Sequence, residues 1–181
     1  QGDLSSAAFP DEFFDVVMLW HVLEHLVDPM AVVRETRRIL KSDGVLALEV
    51  PNAACASFKL FRECWYSLDS PRHLSHFTPA TLYRLLGECG FRPAARWNLH
   101  LGDFIPTTAS LFCRLGLLAK ASNGATLFES FLASSTLSKT LIAGLAFPAG
   151  ILSSLYLFAV WLFTGNSEVI TLAARKSGGS E

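Results

Sequence analysis

Residues 14–29 read FDVVMLWHVLEHLVDP. The stretch opens as an apolar run, Asp15 to Trp20, whose length and β-branched content suit a strand. It does not alternate strictly, which is the pattern of a strand covered on both faces of a parallel sheet. It then closes on His21, Glu24, His25 and Asp28. Asp28 followed by Pro29 marks a helix start, an N-cap and then a proline at the first helical position. A buried strand therefore delivers several titratable side chains into the loop at its carboxyl end.

Outward from this stretch the pattern continues. Val32, Val33, Thr36, Ile39 and Leu40 fall on one helical face, and Arg34, Arg37, Arg38 and Lys41 on a second, solvated one. Ser42-Asp43-Gly44 is expected to end the helix with the glycine in a left-handed cap. VLALEV, Val45 to Val50, is a second strand, stopped by Pro51-Asn52. Strand, helix and strand joined by short links predict a right-handed parallel crossover in an α/β sheet. Thr78 caps a further helix with Pro79 at its first position, Leu82, Leu85 and Leu86 inward and Gly90 at its end. Residues 91–100 form a weaker strand interrupted by Pro93, and Ser167 to Lys176 a strong final one.

Between these last strands lies an apolar insert, residues 101–166. No charged residue occurs from Thr140 to Thr164, and Phe104 to Lys120 is apolar apart from Arg114 and Lys120. The longer run has the length to cross a bilayer. A single crossing, however, would separate the final strand from its sheet. The reading is membrane contact through 104–120 and 140–164, as a re-entrant hairpin or an interfacial helix, with a buried cap or homodimer surface as the alternative. Pro148 is expected to break the run into two helices. Tyr156 and Trp161 suit a membrane interface.

Composition narrows the class. The net charge of −1 carries no basic footprint for nucleic acid. The cysteines at 55, 64, 89 and 113 form no C-x-x-C pair, so reduced thiols and a cytoplasmic location, peripheral on the inner membrane face, are expected. The first residues show neither a charged segment nor an apolar one of the kind found in signal peptides, and read as a chain entered mid-domain.

In an open parallel sheet, ligands sit beyond the carboxyl ends of the strands. Trp20 and His21 leave the first strand there, and Pro51 and Asn52 the second, so their loops should line one crevice. His21 to His25 also fits H-x-x-E-H, a zinc-hydrolase signature. That motif needs both histidines on one face of a continuous helix. The strand before His21 and the lack of a third ligand argue against it, and no metal is assigned.

The segments GDL (Gly2 to Leu4), FDVVMLWHVLEHLVDP, RRILKSDGVLALEVPN and GECGF together resemble the second half of a class I S-adenosylmethionine-dependent methyltransferase. WYSLDSPRHLSHFTPATLYRLLGECGF, Trp65 to Phe91, is similar to a subgroup carrying EHL and PRHLxHF segments. The resemblance covers about residues 1–98 and the final strand. It implies a Rossmann-like, mostly parallel sheet, the C-terminal half of a seven-stranded one, with the last strand antiparallel and a hydrophobic helical insert. Residues 1–100 would then be a partial core, 101–166 the insert, 167–176 the final core strand and 177–181 a flexible tail. The family's glycine-rich cofactor loop is expected upstream of Gln1.

The resemblance further implies S-adenosylmethionine as cofactor and a small acceptor, lipophilic or glycan-related, methylated on oxygen. Asp3 and Leu4 match the adenine-contacting loop, and Leu19, Trp20 and His21 the wall beside the methionine moiety. His25, His73 and His76 are candidate bases for an acceptor hydroxyl, since histidine titrates near neutrality. Alternatively, His25 packs or caps, and the other two secure a loop by bonding backbone carbonyls. Arg72 would pair an acidic acceptor or Asp69, and Trp65 would stack on a ring or serve as packing. The competing function is a non-catalytic, membrane-attached module that kept the fold.

Overall fold

The computed structural model describes residues 4, 6–97, 104–118 and 135–177. Two compact units divide the chain. The first is built from residues 1–52, 77–97 and 169–181, the second from 53–76 and 98–168. The segment 53–76 thus packs with the apolar insert, whereas the sequence pattern assigned it to the core.

The first unit is a four-stranded sheet of order β1-β2-β4-β3, comprising β1 (Phe14–Trp20), β2 (Leu40–Pro51), β3 (Phe91–Trp97) and β4 (Val169–Lys176). β1 and β2 run parallel, and β4 is antiparallel to both β2 and β3. The expected crossover and the antiparallel last strand are both present. Its helix, α1 (Pro29–Ile39), starts where the sequence places it, with Asp28 Oδ1 accepting from Ala31 N at 2.9 Å. The basic face is not merely solvated. Arg38 binds Glu35, Asp11 and the carbonyl of Phe9, and Arg37 Nε donates to Gly90 O at 3.3 Å.

Three local readings need correction. First, α1 ends at Ile39 and β2 begins at Leu40, so Ser42-Asp43-Gly44 is not a helix cap. Leu40 is fully buried, and core packing there outweighs the turn signal. Residues 41–44 loop out opposite the single residue Asp15, which Lys41 Nζ pins at 2.7 Å. Second, β1 is not covered on both faces. Leu19 is buried, but Val16, Met18 and Trp20, at alternate positions on the other face, are exposed. β1 has β2 as its one sheet partner among the described residues. Third, Pro148 does not break its helix, as described below.

One core holds this unit together, with Leu23, Leu46, Leu48, Leu82, Leu86, Ile170 and Leu172 all at 0% exposure. Helix α3 (counting α2 below; Pro79–Glu88) covers it through Leu82, Leu85 and Leu86, and carries the expected Thr78 cap. Gly90 follows at φ +73°. A side chain there would clash with Arg37 Nε, so glycine is needed both for conformation and for the close approach. Pro93 sits at an irregularity in edge strand β3, where a missing N–H is tolerated.

The second unit is helical. α2 (Ala56–Phe61) and two short 3-10 turns, Arg62–Cys64 and Tyr66–Leu68, pack on α4 (Phe104–Arg114). α4 in turn packs on α5 (Thr136–Thr164) through Ala109, Phe112, Leu118, Ile142 and Ala149. α5 is one continuous helix with Pro148 inside it. A helix-interior proline removes one hydrogen bond and crowds the carbonyl four residues back, and that position is Gly144, around which there is open space. The four cysteines are free thiols.

Candidate functional site

The carboxyl tips of β1 and β2 lie side by side in parallel register, Leu19 beside Leu48 and Trp20 beside Glu49. The chain turns sharply at His21, whose φ of +50° is the left-handed region and unusual for a residue with a side chain. Such strain persists where neighbours over-determine it, and here three contacts do so. His21 N donates to Glu49 O at 3.0 Å. His21 Nδ1 meets Glu24 Oε1 at 2.9 Å, and Nε2 lies 3.2 Å from Glu49 Oε1.

Both carboxylates are buried, Glu24 at 1% and Glu49 at 5% exposure. Glu49 Oε2 also accepts from Thr171 Oγ1 on β4. Glu24 Oε2 is buried and makes no hydrogen bond among the described residues. The hydrogen bond to Glu24 raises the His21 pKa above its ordinary value, with the charges of Glu24 and Glu49 adding to this against burial. The cluster is an imidazole ring held between two buried carboxyl groups at the strand tips.

His21 is outside any helix, and His25 ends a 3-10 turn, Leu23–His25. The continuous helix that H-x-x-E-H chemistry requires is therefore absent. Glu49 and Thr171 were missed in the sequence. The signal was a lone carboxylate in VLALEV and a lone hydroxyl in the final strand, both polar groups at positions that the pattern buries.

A pH dependence follows. A raised His21 pKa means that its pairing stabilises the fold fully below the unfolded value of 6.5 and is lost as pH rises through the folded value. We expect the His21 ring protons in NMR titration to report a midpoint above 6.5, and Glu24→Gln to move that midpoint down.

Of the other expected residues, Leu19 is buried, Trp20 and His25 are exposed and Leu4 is half-buried. Asp3 lies outside the described residues. Trp65, Arg72, His73 and His76 all belong to the second unit. Trp65 is 3% exposed, meets Phe58 edge-on at 5.2 Å between centroids, and donates its indole N–H to Glu168 at 3.4 Å. It is a packed core ring, not an open stacking platform. Arg72 pairs with Asp69 at 2.8 Å. The histidine rings bond backbone carbonyls, His73 Nδ1 to Ser67 O at 2.7 Å and His76 Nε2 to Leu68 O at 3.1 Å. Those bonds secure the 67–76 loop.

A second buried carboxyl is Glu168. Its Oε2 accepts from Trp65 Nε1 and, at 3.5 Å, from Cys55 Sγ. Its Oε1 is buried without a hydrogen bond among the described residues. Burial pushes the Glu168 pKa up, only partly offset by nearby donors. Burial, with the Glu168 charge beside it, likewise pushes the Cys55 thiol up.

Comparison with known proteins agrees with this architecture. Residues 1–95 match the family described as "Methyltransferase domain". A probable S-adenosylmethionine-dependent methyltransferase of Mycobacterium tuberculosis is 32% identical over 102 residues, covering 56% of this chain and 35% of the relative. A ubiquinone biosynthesis O-methyltransferase of Cereibacter sphaeroides is 30% identical over 116 residues, covering 56% of this chain and 46% of the relative. The chain thus spans less than half the length of either relative. Among solved structures, the [4+2]-cyclase SpnF superposes with a TM-score of 0.53 at 17% identity, over 98% of this chain and 55% of that one. A putative methyltransferase of Bacillus halodurans gives 0.50 at 18% identity, over 97% and 70%. At these identities the likeness is one of fold.

Proposed function

This chain belongs to the methyltransferase-domain family, and we propose that it takes part in S-adenosylmethionine-dependent methyl transfer to the oxygen of a small, lipophilic acceptor. One observation carries the reading. The tips of two parallel strands stand together and hold a strained His21 between two buried carboxyl groups.

The residues present fit the cofactor in part. Two buried carboxyl groups face one imidazole, and Glu24 Oε2 has no hydrogen-bond partner among the described residues. An acidic lining with an unused acceptor suits a ligand bearing an ammonium and a sulfonium. When bound, S-adenosylmethionine supplies an electrophilic methyl group. The protein's part is then placement and exclusion of water. His21 fixes the turn from which the 3-10 segment Leu23–His25 departs. His25, at the end of that segment, takes the proton of the acceptor hydroxyl. Similarity to O-methyltransferases supports oxygen as the methylated atom.

The cofactor's other half would be held by chain upstream of Gln1. Support comes from β1, which among the described residues pairs on one side only and leaves Val16, Met18 and Trp20 exposed. An apolar edge of this kind invites another strand and a covering helix. Calorimetric titration of S-adenosylhomocysteine tests the proposal on the protein extended upstream to include the preceding strands. Saturable binding is expected, weakened at least tenfold by Glu49→Ala. No binding at millimolar ligand would overturn it in favour of a non-catalytic module.

A further inference from the structure

We propose that α5 lies in the plane of a phospholipid bilayer, with one apolar side in the acyl layer and α4 behind it. The inference rests on the second unit and on the strands that flank it in the chain, and is independent of methyl transfer.

The residues of α5 divide by angle. Ile142, Ala149, Ser153 and Leu157 are buried. Leu141, Leu145, Phe147, Ile151, Leu155 and Phe158 are exposed, as are Leu152, Leu162 and Phe163. At 100° per residue the exposed set spans an arc of roughly 160°, facing away from the buried set. The most apolar stretch has a mean hydropathy of 1.9, and only 17% of it is buried. No charge interrupts Thr140 to Thr164, roughly 37 Å of helix at 1.5 Å per residue.

Three observations select lipid over a second copy as the occupant. A protein interface has an apolar centre inside a polar rim, and here no charged side chain interrupts the apolar face along that length. Four hydroxyls of α5 are engaged within the unit. Thr140, Ser154 and Thr164 donate to Thr136 O, Gly150 O and Val160 O, and Ser153 accepts from Thr108 of α4 at 2.9 Å. These four hydroxyls of the charge-free stretch are therefore engaged without water. Finally, cations and aromatics sit at opposite ends. Arg114 at the end of α4 and Lys139 at the start of α5 mark one, and Phe158, Trp161 and Phe163 the other. Cations suit headgroups and aromatic rings suit the interface. The strands before and after the helix pair, β3 and β4, belong to one sheet. The pair therefore enters and leaves the membrane on the same side, which favours lying in one leaflet over a single crossing.

Vesicle flotation of the purified chain tests this. It should float with phosphatidylcholine vesicles, and more strongly when phosphatidylglycerol is included. Ile151→Glu with Leu155→Glu should lower the bound fraction at least tenfold at unchanged helical circular dichroism. Val27→Glu, an exposed position in the other unit, should leave it unchanged. Should the double variant unfold, Phe147→Glu at a 79% exposed position carries the same expectation. A wild-type chain that stays with the unbound fraction overturns the proposal. So does one that forms a vesicle-indifferent dimer broken by Ile151→Glu, since the face would then join two copies.

Discussion

Leu48→Ala is expected to cost the sheet unit about 3–5 kcal/mol, the upper part of the range for a large aliphatic removed from a sealed core. Leu48 has no exposed surface and is paired on both sides, with Leu19 on β1 and Leu172 on β4. All three belong to the same buried cluster. The strands around it are tied by parallel and antiparallel ladders, so the cavity has little freedom to collapse. Urea unfolding should show a lower midpoint with an unchanged slope. Val16→Thr, on the uncovered face of β1, should change stability by less than about 0.5 kcal/mol. Equal losses at the two sites would mean that Val16 is covered in solution.

Glu168→Gln should remove the fall in stability of the helical unit as pH rises. The Glu168 pKa is raised by burial, so the folded state binds the proton more tightly than the unfolded one. Stability is therefore greatest below the unfolded value, near 4.5, and falls as pH rises through the folded value. Above it, the fold carries a buried charge with one oxygen unbonded among the described residues. Cys55 and Tyr156 are the other titratable groups that face it. The glutamine variant cannot ionise. At pH 8 it should be more stable than the parent by about 1–3 kcal/mol, the usual penalty of an unsatisfied buried polar group. Denaturation followed by Trp65 fluorescence measures this, because its indole N–H bonds the carboxyl. Parallel pH profiles for parent and variant would refute the reading.

Signals carried by local chemistry were legible in the sequence. Asp28-Pro29 and Thr78-Pro79 each satisfy backbone N–H groups that any helix start exposes, so the two starts were read correctly. VLALEV could only be a buried strand, and the short links to α1 dictated its parallel pairing with β1. What escaped depended on partners distant in the chain. Lys41–Gly44 looks like a helix stop, but Leu40 is claimed by the sheet core. The Glu49–Thr171 bond joins residues 122 positions apart. His73 and His76 have the residue type of a base, but the carbonyls that engage them are set by the loop's path, which no periodicity encodes. Trp65 was ambiguous for the same reason, since its acceptor Glu168 stands at the far end of the insert.

The strand order β1-β2-β4-β3 has a consequence for biosynthesis. Strand β4, residues 169–176, stands between β2 and β3 and leaves the ribosome after both of them and after the apolar insert. Until then β2 and β3 have no ladder between them, and the nascent chain must carry the whole apolar insert with its acceptor edges open. A stop codon at position 168 would remove the central strand and with it the ladder joining β2 to β3.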